Sequence, residues 1–101
     1  GMTYQAREGA QISNLYEVTL INKTFDEQEV TLVANDPTFT LEQVGHTDWH
    51  LEGQSKFEGR FFLVKNQKDM KVPQQNVELL LQQNGETIDR ISTSFMGPVA
   101  E

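Results

Sequence analysis

The residues best suited to chemistry are two histidines and an aspartate in the run His46-Thr47-Asp48-Trp49-His50. Residues two apart in an extended segment point the same way, so His46, Asp48 and His50 would share one side. Two imidazoles and a carboxylate suit a divalent metal such as zinc, copper or nickel. The other interpretation is a polar loop in which Trp49 points inward and its neighbours face water. The sequence favours the loop, because it shows no further residues to orient the metal ligands.

Covalent and acid–base catalysis find little support. Both histidines lie in that one run, and the sequence contains no Gly-x-Ser-x-Gly motif. The carboxylates Asp26, Glu27 and Glu29 fall in a predicted turn, whereas a glycosidase pair would face a sugar-binding cleft. The absence of cysteine excludes thiolate metal sites and iron–sulfur clusters within these residues. We therefore predict a non-enzymatic domain with no cofactor of its own.

Apolar residues at positions expected to face water suggest a partner surface. Within the apolar run 61–64, alternate residues should face the core, which leaves Phe62 and Val64 outward. Leu80 has the opposite parity to the leucines on either side of it. If the two strands are neighbours, Phe62, Val64 and Leu80 form an apolar patch of the kind that marks an interface. The alternative is that a terminal segment or a loop covers these residues.

The elements that carry these residues are predicted to be strands. Apolar and polar residues alternate from Ile12 to Leu20, and a period of two is typical of a half-buried strand. Seven segments follow this pattern, near residues 3–6, 12–20, 30–34, 39–43, 57–63, 77–81 and 91–95. The stretch 46–54 is polar and irregular. No helical stripe stands out.

Turn signals complete the fold prediction. Asn84-Gly85 between two strands predicts a tight hairpin, and Asn35-Asp36-Pro37 predicts a break. Seven short strands in about 100 residues indicate an all-β, immunoglobulin-like, seven-stranded antiparallel sandwich, with a small open barrel as the alternative. We predict one domain over residues 1–101. Gly1 is interpreted as a remnant of tag cleavage, with the natural chain extending before Met2.

Composition restricts the partners. The 101 residues carry a net charge of −7, with a pI near 4.7, which argues against nucleic-acid binding and against electrostatic docking on an anionic membrane. No stretch approaches the roughly 20 apolar residues of a membrane span. Lys65, Lys68 and Lys71 form a basic cluster that we interpret as a solvated loop, with an acidic partner or membrane proximity as alternatives.

The first quarter of the chain goes beyond a generic β pattern. After residues 2–9, Met-Thr-Tyr-Gln-Ala-Arg-Glu-Gly, it reads Ile12-Ser13-Asn14-Leu15-Tyr16 and then ends a strand at Asn22-Lys23-Thr24. A glycine-bearing turn, Ile-x-Asn-x-Tyr and a strand ending in Asn-Lys-Thr resemble the start of the C-terminal domain of the FixG/CcoG family of cytochrome-c-oxidase accessory proteins. From the residues themselves, Asn14 is expected to be a buried amide bonded to backbone, and Tyr16 a buried ring whose hydroxyl finds a partner.

The resemblance implies a setting as well as a fold. Full-length members resemble polytopic membrane proteins with ferredoxin-type iron–sulfur motifs, followed by this domain. They are associated with assembly of cbb-type cytochrome oxidase, and copper reduction and delivery are implied. The domain would face the periplasm at the bacterial inner membrane, attached through a span outside these 101 residues. The clusters would lie elsewhere in the full-length chain, because no cysteine is present here.

Three functional hypotheses follow. The leading one is a non-catalytic accessory domain that binds a protein partner, either the membrane and ferredoxin portion of its own chain or an oxidase subunit. The second is a metal-handling β domain, for copper among other ions, that uses the histidine run. The third is a secreted adhesion or carbohydrate-binding sandwich, for which Trp49 and Tyr4 are the candidate aromatic residues.

Overall fold

Strands account for most of the computed structural model, which describes residues 4–45 and 48–98. The described residues form eight strands: β1 Tyr4–Arg7, β2 Gln11–Asn22, β3 Gln28–Ala34, β4 Phe39–Gln43, β5 Trp49–Leu51, β6 Ser55–Asn66, β7 Gln74–Gln83 and β8 Glu86–Met96. A single 3-10 turn, Gln67–Asp69, connects β6 to β7.

The strands form two four-stranded sheets packed face to face. The first sheet has the order β1-β2-β6-β4 and the second has the order β5-β3-β7-β8. All pairings are antiparallel. The all-β, immunoglobulin-like sandwich is therefore confirmed, but the described residues contain eight strands and not the seven predicted.

The missed strand is β5. It has only three residues, Trp49–Leu51, which is too short for alternation to stand out from the polar residues around it. Pairing holds it in place, because residues 49–51 lie opposite residues 28–30 of β3. Trp49 and Leu51 are both buried, whereas His50 between them is exposed. Buried and exposed residues thus alternate in β5 as in the other strands, but three residues show only one repeat of the pattern.

Inward-facing residues of both sheets form one core. The Tyr16 and Phe61 rings stack with centroids 5.0 Å apart, and Phe39 meets Phe95 edge to face at 4.9 Å. The other members are Trp49, Met70 from the connection between β6 and β7, and aliphatic residues of both sheets: Ile12, Leu20, Val30, Leu32, Leu51, Leu63, Val77, Leu79 and Leu81. Burial of this apolar surface is the main favourable term in folding.

Two turns agree with the prediction. β7 ends at Gln83 and β8 begins at Glu86, so Asn84 and Gly85 form a two-residue hairpin loop. Their φ angles are 52° and 80°, as a type I′ turn requires at both central positions. At the break after β3, the Thr38 backbone N–H and hydroxyl donate to Asp36 Oδ1, and these bonds hold the pKa of Asp36 below its usual value.

The predicted basic loop is partly wrong. Lys65 lies within β6 on the parity that faces the core, and it is 6% exposed. Its Nζ donates to Gln75 Oε1 at 2.8 Å and lies 4.6 Å from the centroid of the Phe39 ring. Lys68 falls in the 3-10 turn and Lys71 in the connection that follows it. One amine of the three is therefore part of the packed interior.

Candidate functional site

Asp48 and His50, the two described residues of the predicted metal site, do not share one set of contacts. His46 lies outside the described residues. Asp48 is exposed and accepts a hydrogen bond from the Thr31 hydroxyl. His50 instead faces Glu29 on β3, Glu27 just before β3 and Glu52 just after β5. Asp48 and His50 thus have different neighbours.

The glutamates around His50 form a compact group on the outer face of the second sheet. His50 Nε2 lies 3.3 Å from Glu52 Oε1 and 3.7 Å from Glu27 Oε2, and Nδ1 lies 3.8 Å from Glu29 Oε1. The side chain of His50 is 45% exposed, and those of the glutamates are 67–70% exposed. We call these four residues the His50 cluster. Sequence reasoning missed it because its members come from two separate segments.

Strand register assembles the cluster. Glu29 on β3 lies directly opposite His50 on β5. Glu27 precedes Glu29 by two residues and Glu52 follows His50 by two, so their side chains lie on the same side as Glu29 and His50. The buried Asn22 then joins the two segments, because its Nδ2 donates to Asp26 O at 2.8 Å and to Glu52 O at 3.0 Å.

Asn22 also closes the turn after β2. Its Oδ1 accepts hydrogen bonds from the Thr24 backbone N–H and hydroxyl, at 3.0 and 2.7 Å. Asn22 is 2% exposed, and its amide nitrogen is fully engaged in these contacts. Asn22-Lys23-Thr24 therefore forms a turn held by the Asn22 side chain. The tripeptide also matches the Asn-x-Thr glycosylation sequon, but the Asn22 amide is buried and offers no accessible nitrogen for glycosylation.

The predicted apolar patch is not continuous. Phe62 and Val64 lie on β6 in the first sheet, and Leu80 lies on β7 in the second, so the two strands are not neighbours. Their outward faces are on opposite sides of the sandwich. Alternation predicts which face a residue occupies but does not identify the strand beside it, and this is why the prediction of one patch is wrong.

The burial of the three residues also differs. Phe62 and Leu80 are half-buried, whereas Val64 is only 4% exposed despite its outward parity. Val64 lies on a central strand between Ser13 and Thr40. It is a covered residue. Phe62 and its cross-strand neighbour Leu15, which is 47% exposed, remain accessible on this face, as does Ile21 further along β2, which is 62% exposed.

An arginine crosses the same face. Arg7 is on β1 and Glu42 is on β4, the two edge strands of the first sheet, yet Arg7 Nη1 and Glu42 Oε1 are 2.9 Å apart. The guanidinium carbon lies 4.8 Å from the centroid of the Phe62 ring. The face therefore presents a half-covered phenylalanine beneath a cation, beside an exposed leucine.

Trp49 is unavailable as a sugar-binding platform. It is 4% exposed, and its ring packs against Gly59 and tilts against Phe57 with centroids 5.4 Å apart. A shallow groove of about 550 Å³ lies over these residues. Of the two aromatic residues considered for carbohydrate binding, Trp49 is therefore inaccessible, whereas Tyr4 is 45% exposed.

Asn14 and Tyr16 act as scaffold, and both expectations for them are confirmed. Asn14 is 1% exposed, and its amide exchanges two hydrogen bonds with the Met96 backbone: Nδ2 donates to Met96 O at 2.8 Å, and Met96 N–H donates to Oδ1 at 3.0 Å. The Tyr16 hydroxyl donates to Ser94 O at 2.8 Å. Burial raises the pKa of Tyr16.

The described residues contain no catalytic triad. Within residues 4–45 and 48–98, His50 is the only histidine, and no hydrogen bond joins it to a serine or threonine hydroxyl. The Ser13 hydroxyl is buried without a partner, between neighbouring strands of the first sheet. Over the same ranges, no helix has the length and hydrophobicity to cross a membrane.

Comparison with known proteins gives a family match and a structural likeness. A family model described as "IG-like fold at C-terminal of FixG, putative oxidoreductase" matches residues 1–98. The crystal structure of a FixG-related protein from Vibrio parahaemolyticus superposes with a TM-score of 0.71, covering 95% of this chain and 94% of that one at 17% identity. At that identity the likeness shows the fold alone. No curated protein sequence matches the chain significantly.

Proposed function

The chain belongs to the family of FixG C-terminal domains, and from that premise we propose that it is a non-catalytic accessory domain that binds a protein partner during assembly of cbb-type cytochrome oxidase. The partner is either an oxidase subunit or the membrane and ferredoxin portion of the domain's own full-length chain. The domain acts on the periplasmic side of the bacterial inner membrane, attached through a span outside these residues. The family match over residues 1–98 is the observation that carries the proposal.

The chemistry of the domain supports a binding role. It contains no cysteine, so it cannot hold the iron–sulfur clusters of a ferredoxin-type protein. The residues that distinguish the start of the family, Asn14, Tyr16 and Asn22, are engaged in holding the fold together. What remains available for function is the surface.

The outer face of the first sheet is the preferred contact surface. Leu15 and Phe62 lie side by side there, and adjacent accessible apolar residues on a sheet face are a typical interface feature. The Arg7 guanidinium over the Phe62 ring adds a group that can pair with a carboxylate of the partner. Arginine and aromatic residues are the types enriched at the centres of interfaces.

A substitution at Phe62 tests this role, with Leu80 as a matched control. Each is a half-buried apolar residue on the outward face of its sheet, but they lie on opposite sides of the sandwich. In the full-length protein, Phe62→Glu should weaken association with purified oxidase subunits about tenfold or more, whereas Leu80→Glu should leave it unchanged. Thermal unfolding of both variants checks that each remains folded.

The results for Phe62→Glu and its replacement decide whether this face takes part in the interaction. Equal binding by wild type and Phe62→Glu would remove this face from the interaction. A large loss of thermal stability with Phe62→Glu would show that the side chain belongs to the fold, and Leu15→Glu then replaces it, since Leu15 is more exposed. If neither variant affects association with an oxidase subunit or with the protein's own membrane portion, the interaction role is wrong.

A further inference from the structure

The His50 cluster carries negative charge without basic residues to balance it. Three glutamates surround one imidazole, and within the described ranges no lysine or arginine forms an ion pair with Glu27, Glu29 or Glu52. Like charges at neighbouring cross-strand positions are destabilising. A cation placed among these carboxylates would remove that repulsion.

The distances within the cluster differ from those of hydrogen bonds. His50 Nε2 is 3.3 Å from Glu52 Oε1 and 3.7 Å from Glu27 Oε2, and both separations exceed the usual range of about 2.7–3.2 Å. Two ligands on one tetrahedral zinc, with bonds of about 2.0–2.1 Å, are held roughly 3.3 Å apart. The separation of His50 from Glu52 matches this spacing, and that of His50 from Glu27 exceeds it by about 0.4 Å, which a small movement of an exposed side chain would close.

The second ring nitrogen of His50 is also accounted for. Nδ1 lies 3.8 Å from Glu29 Oε1, whereas Glu27 and Glu52 lie nearer to Nε2. Histidines that bind a metal through one nitrogen usually direct the other towards a carboxylate or carbonyl, which fixes the tautomer and the ring orientation. Glu29 lies directly opposite His50 in the strand pair, and its exposed carboxylate is the one that can reach Nδ1 and take that orienting position.

Buried structure holds the ligands in place. Asn22 is 2% exposed and bridges Asp26 O and Glu52 O, so it ties the segment that carries Glu27 to the one that carries Glu52. His50 lies between Trp49 and Leu51, which are both anchored in the core. Such support lowers the entropy cost of bringing the ligands together.

We propose that Glu27, His50 and Glu52 form a binding site for a divalent transition-metal ion of the zinc type, with Glu29 as the orienting residue. The donor atoms lie within 4.8 Å of one another. One imidazole and two carboxylates favour zinc, manganese, iron(II) or nickel over calcium and magnesium, which prefer oxygen ligands alone. Because all four side chains are substantially exposed, the remaining coordination positions face solvent. This site is independent of the role proposed for the Phe62 face.

Calorimetric titration of the 101-residue domain with zinc chloride tests the proposal. We expect saturable binding of one ion per chain, and affinity for zinc well above that for calcium. Trp49 is the sole tryptophan and adjoins His50, so its fluorescence gives a second readout. Glu27→Gln, His50→Ala and Glu52→Gln should each weaken binding about tenfold or more, and Glu29→Gln should weaken it less.

His46→Ala is the matched control, because His46 is the only other histidine in the chain. Retained binding in His46→Ala, together with loss in Glu27→Gln and Glu52→Gln, supports the proposed site. Loss in His46→Ala with unchanged binding in the two glutamine variants would overturn it in favour of the run His46, Asp48 and His50. Absence of saturable zinc binding, or wild-type affinity in His50→Ala, would also overturn it.

Discussion

Asn14 and Met96 are joined by a reciprocal pair of hydrogen bonds that links the two sheets. Asn14 belongs to β2 in the first sheet, and Met96 ends β8 at the edge of the second. An edge strand presents backbone groups without a partner strand. Here the side-chain amide of Asn14 supplies both the donor and the acceptor that a neighbouring strand would have supplied.

Replacement of Asn14 by alanine should destabilise the domain strongly. The change leaves the Met96 N–H and C=O without partners in a region that is largely closed to water, and it removes two hydrogen bonds. We expect a loss of about 2–3 kcal/mol in the free energy of unfolding. Urea unfolding followed by circular dichroism measures this loss, with an unchanged m value if only stability is affected.

Asn35→Ala is the control for that experiment. Asn35 is exposed, and its Nδ2 donates only to the Glu78 side chain. Its replacement should change the free energy of unfolding by no more than about 0.5 kcal/mol. If Asn14→Ala behaves like Asn35→Ala, the reciprocal pair does not hold the sheets together.

The Trp49 ring leaves no room for a Cβ at Gly59, so a larger residue there should destabilise the domain. A Cβ at this position would lie 2.8 and 2.9 Å from Cη2 and Cζ2 of the indole ring. Gly59→Ala should therefore cost about 1–3 kcal/mol through overpacking. The measurement is the midpoint of urea unfolding, compared with wild type.

A double-mutant cycle identifies the cause. Trp49→Phe shortens the ring that faces Gly59, so the cost of Gly59→Ala should fall in the Trp49→Phe background. A coupling energy of at least about 0.5 kcal/mol is expected, since the two residues are in contact. Additive effects would indicate that the alanine destabilises through some other neighbour.

Tyr16 should make stability fall at high pH. Burial raises the pKa of its hydroxyl above the ordinary value of 10.0, so the folded state keeps the proton that the unfolded state releases. The contribution is fully present below pH 10 and is lost progressively as the pH rises above it. Denaturant unfolding between pH 8 and 11 measures the slope.

Tyr16→Phe separates this contribution from that of other titrating groups. The variant loses the hydrogen bond to Ser94 O, so it should be less stable at neutral pH. The difference in stability between wild type and variant should shrink as the pH rises above 10. A difference that stays constant over this range would mean that Tyr16 ionises equally in both states.

Local pattern was enough to predict most of the fold. Alternation identified the long strands, and Asn84-Gly85 located the last hairpin, because both signals come from adjacent residues. The roles of Asn14 and Tyr16 were also predictable, since a polar group on an apolar face must find a partner. These features depend on the residue itself and its nearest neighbours in sequence.

Features that depend on strand pairing were beyond that reasoning. Phe62 and Leu80 have the predicted parity, but they lie on different sheets. The His50 cluster requires the β3–β5 register, which brings together residues more than 20 positions apart. The burial of Val64 depends on what covers the outer face of the sheet, and no period in the sequence reports this. Lys65 follows Phe61 and Leu63 on the core-facing parity, but its burial requires β6 to continue to Asn66, beyond the predicted end of that strand.

The length of β2 determines which parts of the domain lie far from its chain ends. Tyr4 pairs with Asn14, and Met96 bonds to the side chain of the same residue, so the first and last strands meet at one level of β2. Asn22, which anchors the His50 cluster, is eight residues further along that strand, roughly 26 Å away at about 3.3 Å per residue. If the domain is attached to the rest of a protein through β1 or β8, the His50 cluster lies at the opposite end of β2 and points away from the attachment.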